Sequence, residues 1–227
     1  MKKSQKSDTK SKNLGVENAN EIKTRAGGII PHIDKFFNKN HFLFFILSVC
    51  LTIILGIYLF DVKVSTGGDD SSYIVAAKKF LTGKSFPSWH GSFYPIFLSF
   101  LMLITGFNVI IFKIFSFLFI IGYLIFFYYT FKNQLSITII IITLLILAIN
   151  SNILYFGSQT YSEALYLFLQ TLTFFVFVKF LEKLNESPSD YLKLWKTWLT
   201  IGFLLFLMGI TRNIGIVMLM SVIFYLL

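Results

Sequence analysis

Two adjacent carboxylates, Asp69 and Asp70, stand in the run Gly67-Gly68-Asp69-Asp70-Ser71-Ser72-Tyr73, directly after the first long apolar segment. A carboxylate at such a place can take a proton from a hydroxyl or ligate a divalent cation. The plainer reading is an N-cap, which stabilises a helix by about 0.5–2 kcal/mol. A cap needs only one acid, however, and Ser71 or Ser72 would serve. Glu163 opens another apolar run, after Thr160-Tyr161-Ser162. It either favours the helix N-terminus, where Thr160 or Ser162 would cap, or lines a polar cavity beside lipid. Arg212 interrupts a long apolar stretch. It is either a simple interfacial turn or a planar fork suited to phosphate. His90, beside Trp89 and near Tyr94-Pro95, is a further candidate whose plain reading is structural.

The elements that must position these residues are transmembrane helices. The chain has 227 residues, of which 56% are hydrophobic, 19% aromatic and 14% charged. Mean hydropathy is +0.73, and a soluble domain carries about 25% charged residues. The expected fold is therefore all-α, a polytopic transmembrane bundle. The single Cys50 lies in the first apolar run and reads as an inert core thiol. It excludes an internal disulfide and a Cys-based zinc site. No Walker A motif, Gly-rich dinucleotide turn, zinc spacing or G-x-S-x-G is present.

Residues 1–40 hold nine Lys/Arg against four Asp/Glu and lack apolar periodicity before Phe36. They read as a disordered cytoplasmic tail that fixes orientation, not as a nucleic-acid arm. Residues 41–227 form the membrane module. Phe42 to Phe60 has the length of a span and shows no signal cleavage site. Asp61 to Phe93 is then an external loop. Within it Tyr73, Ala76, Ala77, Phe80 and Leu81 make one apolar face of a helix lying along the membrane, started by Asp69 or Asp70 and ended at Gly83. Pro95 to Thr105 is too short to span and is expected to be re-entrant or interfacial.

Val109 to Phe131 spans, with Lys113 one turn in. Ile137 to Ile149 follows, then Ala164 to Leu181, a polar loop over Glu182 to Lys196, and a last pair, Trp198 to Ile210 and Ile214 to Leu227. If Pro95 to Thr105 crosses, Lys179, Lys183, Lys193 and Lys196 fall outside. If it does not, they fall inside with Lys132, as the positive-inside rule prefers. Glu163 and Arg212 then share a side with Asp69 and Asp70.

In this order and spacing the motifs resemble a known family. Asp69-Asp70-x-x-Tyr73-x-x-Ala76-x-x-x-x-Leu81-x-Gly83, followed by Tyr94-Pro95, is similar to the first external loop of GT-C superfamily membrane glycosyltransferases. The branch resembled is that of protein O-mannosyltransferases and aminoarabinose transferases. Thr160-Tyr161-Ser162-Glu163-Ala164-Leu165 resembles its Ser-Glu turn, and Gly202 to Asn213 its Gly-rich helix ending in a basic turn.

The resemblance implies sugar transfer from a polyprenyl-phosphate donor on the external face, to a lipid, glycan or protein acceptor, in the plasma membrane of a bacterium. It implies Asp69 as base with Asp70 as the neighbouring acid, and a divalent cation there as an option. Tyr73, His90, Tyr94, Glu163 and Arg212 become substrate-binding candidates, Arg212 for the donor phosphate. Phe93-Tyr94 stands where some members carry Lys before Pro, and Ser72 where some carry Arg. Members are usually longer, so the chain is expected to be the N-terminal part of a larger protein. Two other classes compete: a transporter or lipid flippase, which would favour polar groups near the midplane and internal repeats, and a non-catalytic membrane subunit, which would tolerate loss of Asp69.

Overall fold

In a computed structural model of the chain, the described residues are 34–64, 68–88, 91–186 and 194–226. They form helices and no strand: α1 (Asp34–Leu59), α2 (Asp69–Leu81), α3 (Phe93–Thr105), α4 (Val109–Phe131), α5 (Ile137–Ala148), α6 (Ser151–Ser158), α7 (Ser162–Glu186), α8 (Trp195–Thr211) and α9 (Gly215–Leu226). The expectations for residues 1–33, Gly67, Trp89, His90 and Lys193 lie outside the described residues.

Three helices, α1, α4 and α7, are long and apolar enough to cross a membrane. A fourth crossing is available if α5 and α6, bent by 55°, act as one broken span. Local chemistry sets the ends. Asn108 caps α4 by accepting from the Ile110 and Ile111 N–H groups, Ser136 caps α5, and Asn150 caps α6. The α5–α6 bend falls at Ile149-Asn150, where Asn150 starts a new helix instead of continuing the old one. α1 begins within the expected tail, at Asp34, because Phe37 packs back on Phe44 and extends the apolar stripe.

α4 and α7 are the central pair. Gly122 makes their approach possible: a Cβ there would stand 2.7 Å from the Phe168 ring. One apolar cluster joins α2, α3, α4, α7, α8 and α9 through Ile74, Leu98, Phe112, Phe180, Met208 and Met218. A second joins α1, α4, α5, α6 and the start of α7 around Phe45, Leu124, Ile141, Ile153 and Ala164. Large apolar side chains such as Ile57, Leu103, Phe206 and Phe224 face outward, as they do where lipid replaces water. Cys50 is among the outward-facing residues of α1 and is not a core thiol.

Contacts fix which helix ends lie together. At one end the start of α1 meets the end of α4: His41 Nδ1 is 2.5 Å from the Tyr128 hydroxyl and Phe45 stacks on the same ring at 4.4 Å. Gln134 donates to Glu182 there (3.3 Å), and Lys179 pairs with Glu182 (2.6 Å). Lys132, Lys179 and Lys183 therefore share an end with the start of α1. At the opposite end Lys113, in the first turns of α4, reaches the chain just after α1.

The structure also decides how α3 runs. Tyr94, near its start, bonds Ser116 two turns into α4 (3.1 Å), and Asn108, just after its end, caps α4. Both ends of α3 thus lie against the first two turns of α4. Its 13 residues cover about 20 Å against a hydrocarbon core of about 30 Å. It does not cross the bundle.

Candidate functional site

α2 puts the acidic pair at a helix N-terminus, though not as a cap. Gly68 is the N-cap and makes no side-chain cap bond, while Asp69 and Asp70 are the first two helical residues. The reason is backbone geometry: Ser71 and Ser72 hydroxyls both bond back to the Gly68 carbonyl (2.7 and 3.2 Å), closing the first turn one residue earlier. The carboxylates still gain from the positive end of the helix. The other end is a Schellman arrangement, with Gly83 at φ +69°, its N–H on Phe80 O and the Lys84 N–H on Lys79 O.

The two acids differ in surroundings. Asp69 is exposed, whereas Asp70 is fully buried and accepts from the Ser71 N–H at 2.7 Å. The buried face of α2 is Asp70, Tyr73, Ile74 and Ala77. It is rotated from the expected face, with Leu81 exposed, because α3 lies against the Tyr73–Ala77 side and Tyr73 meets Tyr94 edge-on at 5.2 Å.

From Tyr73 a polar chain runs across three elements. The Tyr73 hydroxyl is 2.9 Å from Ser162 Oγ. Ser162 donates to Glu163 Oε2 (3.4 Å) and accepts from Arg212 Nη1 (3.5 Å), and Arg212 closes the set with an ion pair to Glu163 Oε1. α7 starts at Ser162 and α8 ends at Thr211, so antiparallel packing delivers Glu163 and Arg212 to one point. Gly91 lies against the turn as well. It has φ +105°, and a Cβ on it would sit 2.1 Å from the Thr211 carbonyl oxygen, which ties the end of the α2–α3 loop to the residue before Arg212.

The structure therefore brings Asp69, Asp70, Tyr73, Tyr94, Glu163 and Arg212 to one end of the bundle. His90 is outside the described residues. Both Arg212 and Glu163 keep part of their side-chain surface accessible, 34% and 24%, so the guanidinium retains donors for a further anion. Thr160 does not cap α7: its buried Oγ1 has no hydrogen-bond partner among the described residues.

The electrostatics follow from this gathering. Burial raises the Tyr73 hydroxyl above its ordinary value. Its bond to Ser162 opposes the shift, Glu163 and Asp69 add to it, and Arg212 counters them. Tyr161 is raised too, first by burial, then by its bond to Tyr155 and the charges of Tyr155, Asp70 and Asp69. Both phenols are neutral hydrogen-bonding groups beside the acids at neutral pH.

Lys113 is the residue whose importance sequence reasoning missed. It is fully buried, and its Nζ donates to the carbonyl oxygens of Asp61 (2.6 Å) and Lys63 (2.5 Å). Asp61 and Asp70 lie within its electrostatic reach. The ammonium thus holds the segment between α1 and α2 against α4. The available signal was a lysine inside a spanning segment, where charge is retained only with a partner. The partners, being backbone carbonyls about fifty residues away, left no trace in local sequence.

Two cavities open here. One of about 400 Å³ lies along α2 and is lined by Ser72, Tyr73, Ala76, Lys79, Ser85 and Ser88, among others. The other, about 530 Å³, lies between the end of α1 and α6. Among the described residues no three His, Cys, Asp or Glu side chains gather as a metal cluster. No family model, no curated protein and no solved structure matches the chain.

Proposed function

We propose that this protein is a membrane glycosyltransferase that moves a sugar from a polyprenyl-phosphate donor to an acceptor hydroxyl. One observation carries the reading: an exposed carboxylate, Asp69, and a part-exposed guanidinium, Arg212, gather at one end of a helical bundle, linked through Tyr73 and Ser162. Asp69 takes the proton of the acceptor O–H. The acceptor oxygen forms the new bond to the anomeric carbon, whose bond to the phosphate oxygen breaks. The polyprenyl phosphate leaves with that electron pair, and its growing charge is met by Arg212, the kind of fixed positive group that stabilises a leaving phosphate. Asp70, buried beneath, holds the start of α2, and Glu163 orients the guanidinium.

The bundle end bearing Lys132, Lys179 and Lys183 takes the cytoplasmic side by the positive-inside rule. That leaves the acidic pair and Arg212 on the outer face of a bacterial plasma membrane. The test is transfer from a radiolabelled polyprenyl-phosphate sugar in membranes containing the protein, run beside a nucleotide sugar. The expected result is carrier-dependent transfer. Transfer from the nucleotide sugar without any lipid carrier would overturn the reading.

A further inference from the structure

The cavity of about 530 Å³ between the end of α1 and α6 belongs to none of the groups assigned above. Its lining includes Asp61, Ser151, Asn152, Tyr155, Ser158 and Gln159. Two side-chain amides, two serine hydroxyls, a phenol and one carboxylate supply both donors and acceptors in a small space. Asp61 is the single ionised group of the lining, so an anionic ligand is disfavoured. With no second carboxylate in the lining, a divalent cation has a poor donor set. Neutral hydroxyls fit: each can donate to a carboxylate or amide oxygen and accept from an amide N–H.

Tyr155 adds a ring that is 49% exposed and joined at its hydroxyl to Tyr161 (3.2 Å). An aromatic face of this kind packs against the C–H side of a ring. The volume suits one or two sugar rings within the usual range of small-molecule sites.

The walls are fixed in place. The Asp61 carbonyl is gripped by Lys113, and one carboxylate oxygen takes the Lys63 N–H at 2.9 Å. Asn150 caps α6 and so sets Ser151 and Asn152. Tyr161, bonded to the cavity's Tyr155 wall at 3.2 Å, lies within electrostatic reach of Asp70 and Asp69.

We infer that this cavity is the subsite for a neutral sugar ring, held by Asn152, Gln159 and Asp61 at its edges and by Tyr155 on its face. The inference deepens the transferase reading and rests on it for the choice of sugar over other polyols.

The experiment is saturation-transfer difference NMR on the full chain in lipid nanodiscs. The probes are methyl α-mannopyranoside and methyl β-glucopyranoside, with methyl phosphate as the anionic arm. Saturation is expected to reach the ring protons of at least one glycoside and not methyl phosphate. It should fall at least fivefold in both Tyr155→Ala and Asn152→Ala. Asp61→Asn, which keeps side-chain size and the backbone contact to Lys113, should also lower it, whereas Lys79→Ala in the other cavity should leave it unchanged. Absence of saturation on every glycoside, or saturation undiminished in Asn152→Ala and Asp61→Asn, would overturn the subsite. The two readings fail separately. Glycoside saturation that falls in these variants, in a protein that moves no sugar, would remove the transferase and leave the subsite. Turnover that ignores all three cavity substitutions would do the reverse.

Discussion

The Tyr73 hydroxyl lies 2.9 Å from Ser162 Oγ, a bond that joins α2 to the start of α7 across 89 residues of sequence. Ser162 in turn touches both members of the Glu163–Arg212 pair. The helix that carries the acidic pair is thus fastened to the basic turn by one phenol. Tyr73→Phe keeps the ring against Tyr94 and removes only the bond. A neutral hydrogen bond contributes about 0.5–1.5 kcal/mol, so thermal unfolding in detergent should show a loss of that size. Transfer activity should fall with it, while an unchanged midpoint would mean that the fastening carries no energy.

Arg212 separates stability from function. Its pair with Glu163 is part exposed, and such pairs contribute about 0–1 kcal/mol. Arg212→Ala should therefore unfold close to wild type. Removing a donor that meets developing charge costs about 10²–10³-fold in rate, and transfer should drop by that much. Arg212→Lys, which keeps the charge without the fork, should recover part of the rate. Equal loss in the two variants would show that geometry alone matters.

Lys113→Met strips two carbonyls of their charged donor. Hydrogen bonds to charged groups are worth about 1.5–3 kcal/mol, and the segment after α1 should loosen accordingly. Hydrogen exchange over residues 61–64 is expected to speed up, with the α4–α5 turn at 132–136 unaffected. Uniform acceleration across both regions would indicate general unfolding instead of a local release.

The two raised phenols, buried Tyr73 and half-buried Tyr161, give the protein an alkaline limit. Tyr73 and Tyr161 have raised values in the folded chain against an ordinary value near 10. Below that pH both are neutral in either state and contribute no pH dependence. Above it the unfolded chain loses protons that the folded chain keeps, so stability declines as pH rises. Tyrosinate absorbance in the near ultraviolet should appear later for these two residues than for an exposed phenol, as judged against Tyr73→Phe and Tyr161→Phe. Titration at the ordinary value would remove the burial argument.

Much of the fold was legible wherever a polar cap met an apolar run. Val109 to Phe131 matches α4 at both ends because Asn108 stops the preceding turn and Lys132 to Ser136 is polar. α7 runs further than hydropathy indicated, to Glu186, because Lys179 and Glu182 pair one turn apart and extend the helix past its apolar part. The face of α2 was misjudged because Ala76, Ala77 and Ile74 are too evenly apolar to mark a side; α3 makes that choice. Of the candidate site, the gathering of Tyr73, Glu163 and Arg212 at one bundle end could be read, since each stands at the end of an apolar run. The bonds Tyr73–Ser162 and Lys113–Asp61 could not, because they depend on packing between distant helices.

Asp69 is exposed and Asp70 beside it is buried, and of the two only Asp69 is proposed as the base. The decisive measurement is the rate of transfer from a radiolabelled polyprenyl-phosphate sugar, in membranes carrying wild type or Asp69→Asn at matched expression. Loss of a general base costs about 10²–10⁴-fold. Asp69→Asn should lose that much while inserting and unfolding like wild type, because an exposed carboxylate contributes little to a helical bundle. Wild-type transfer by Asp69→Asn would contradict the account.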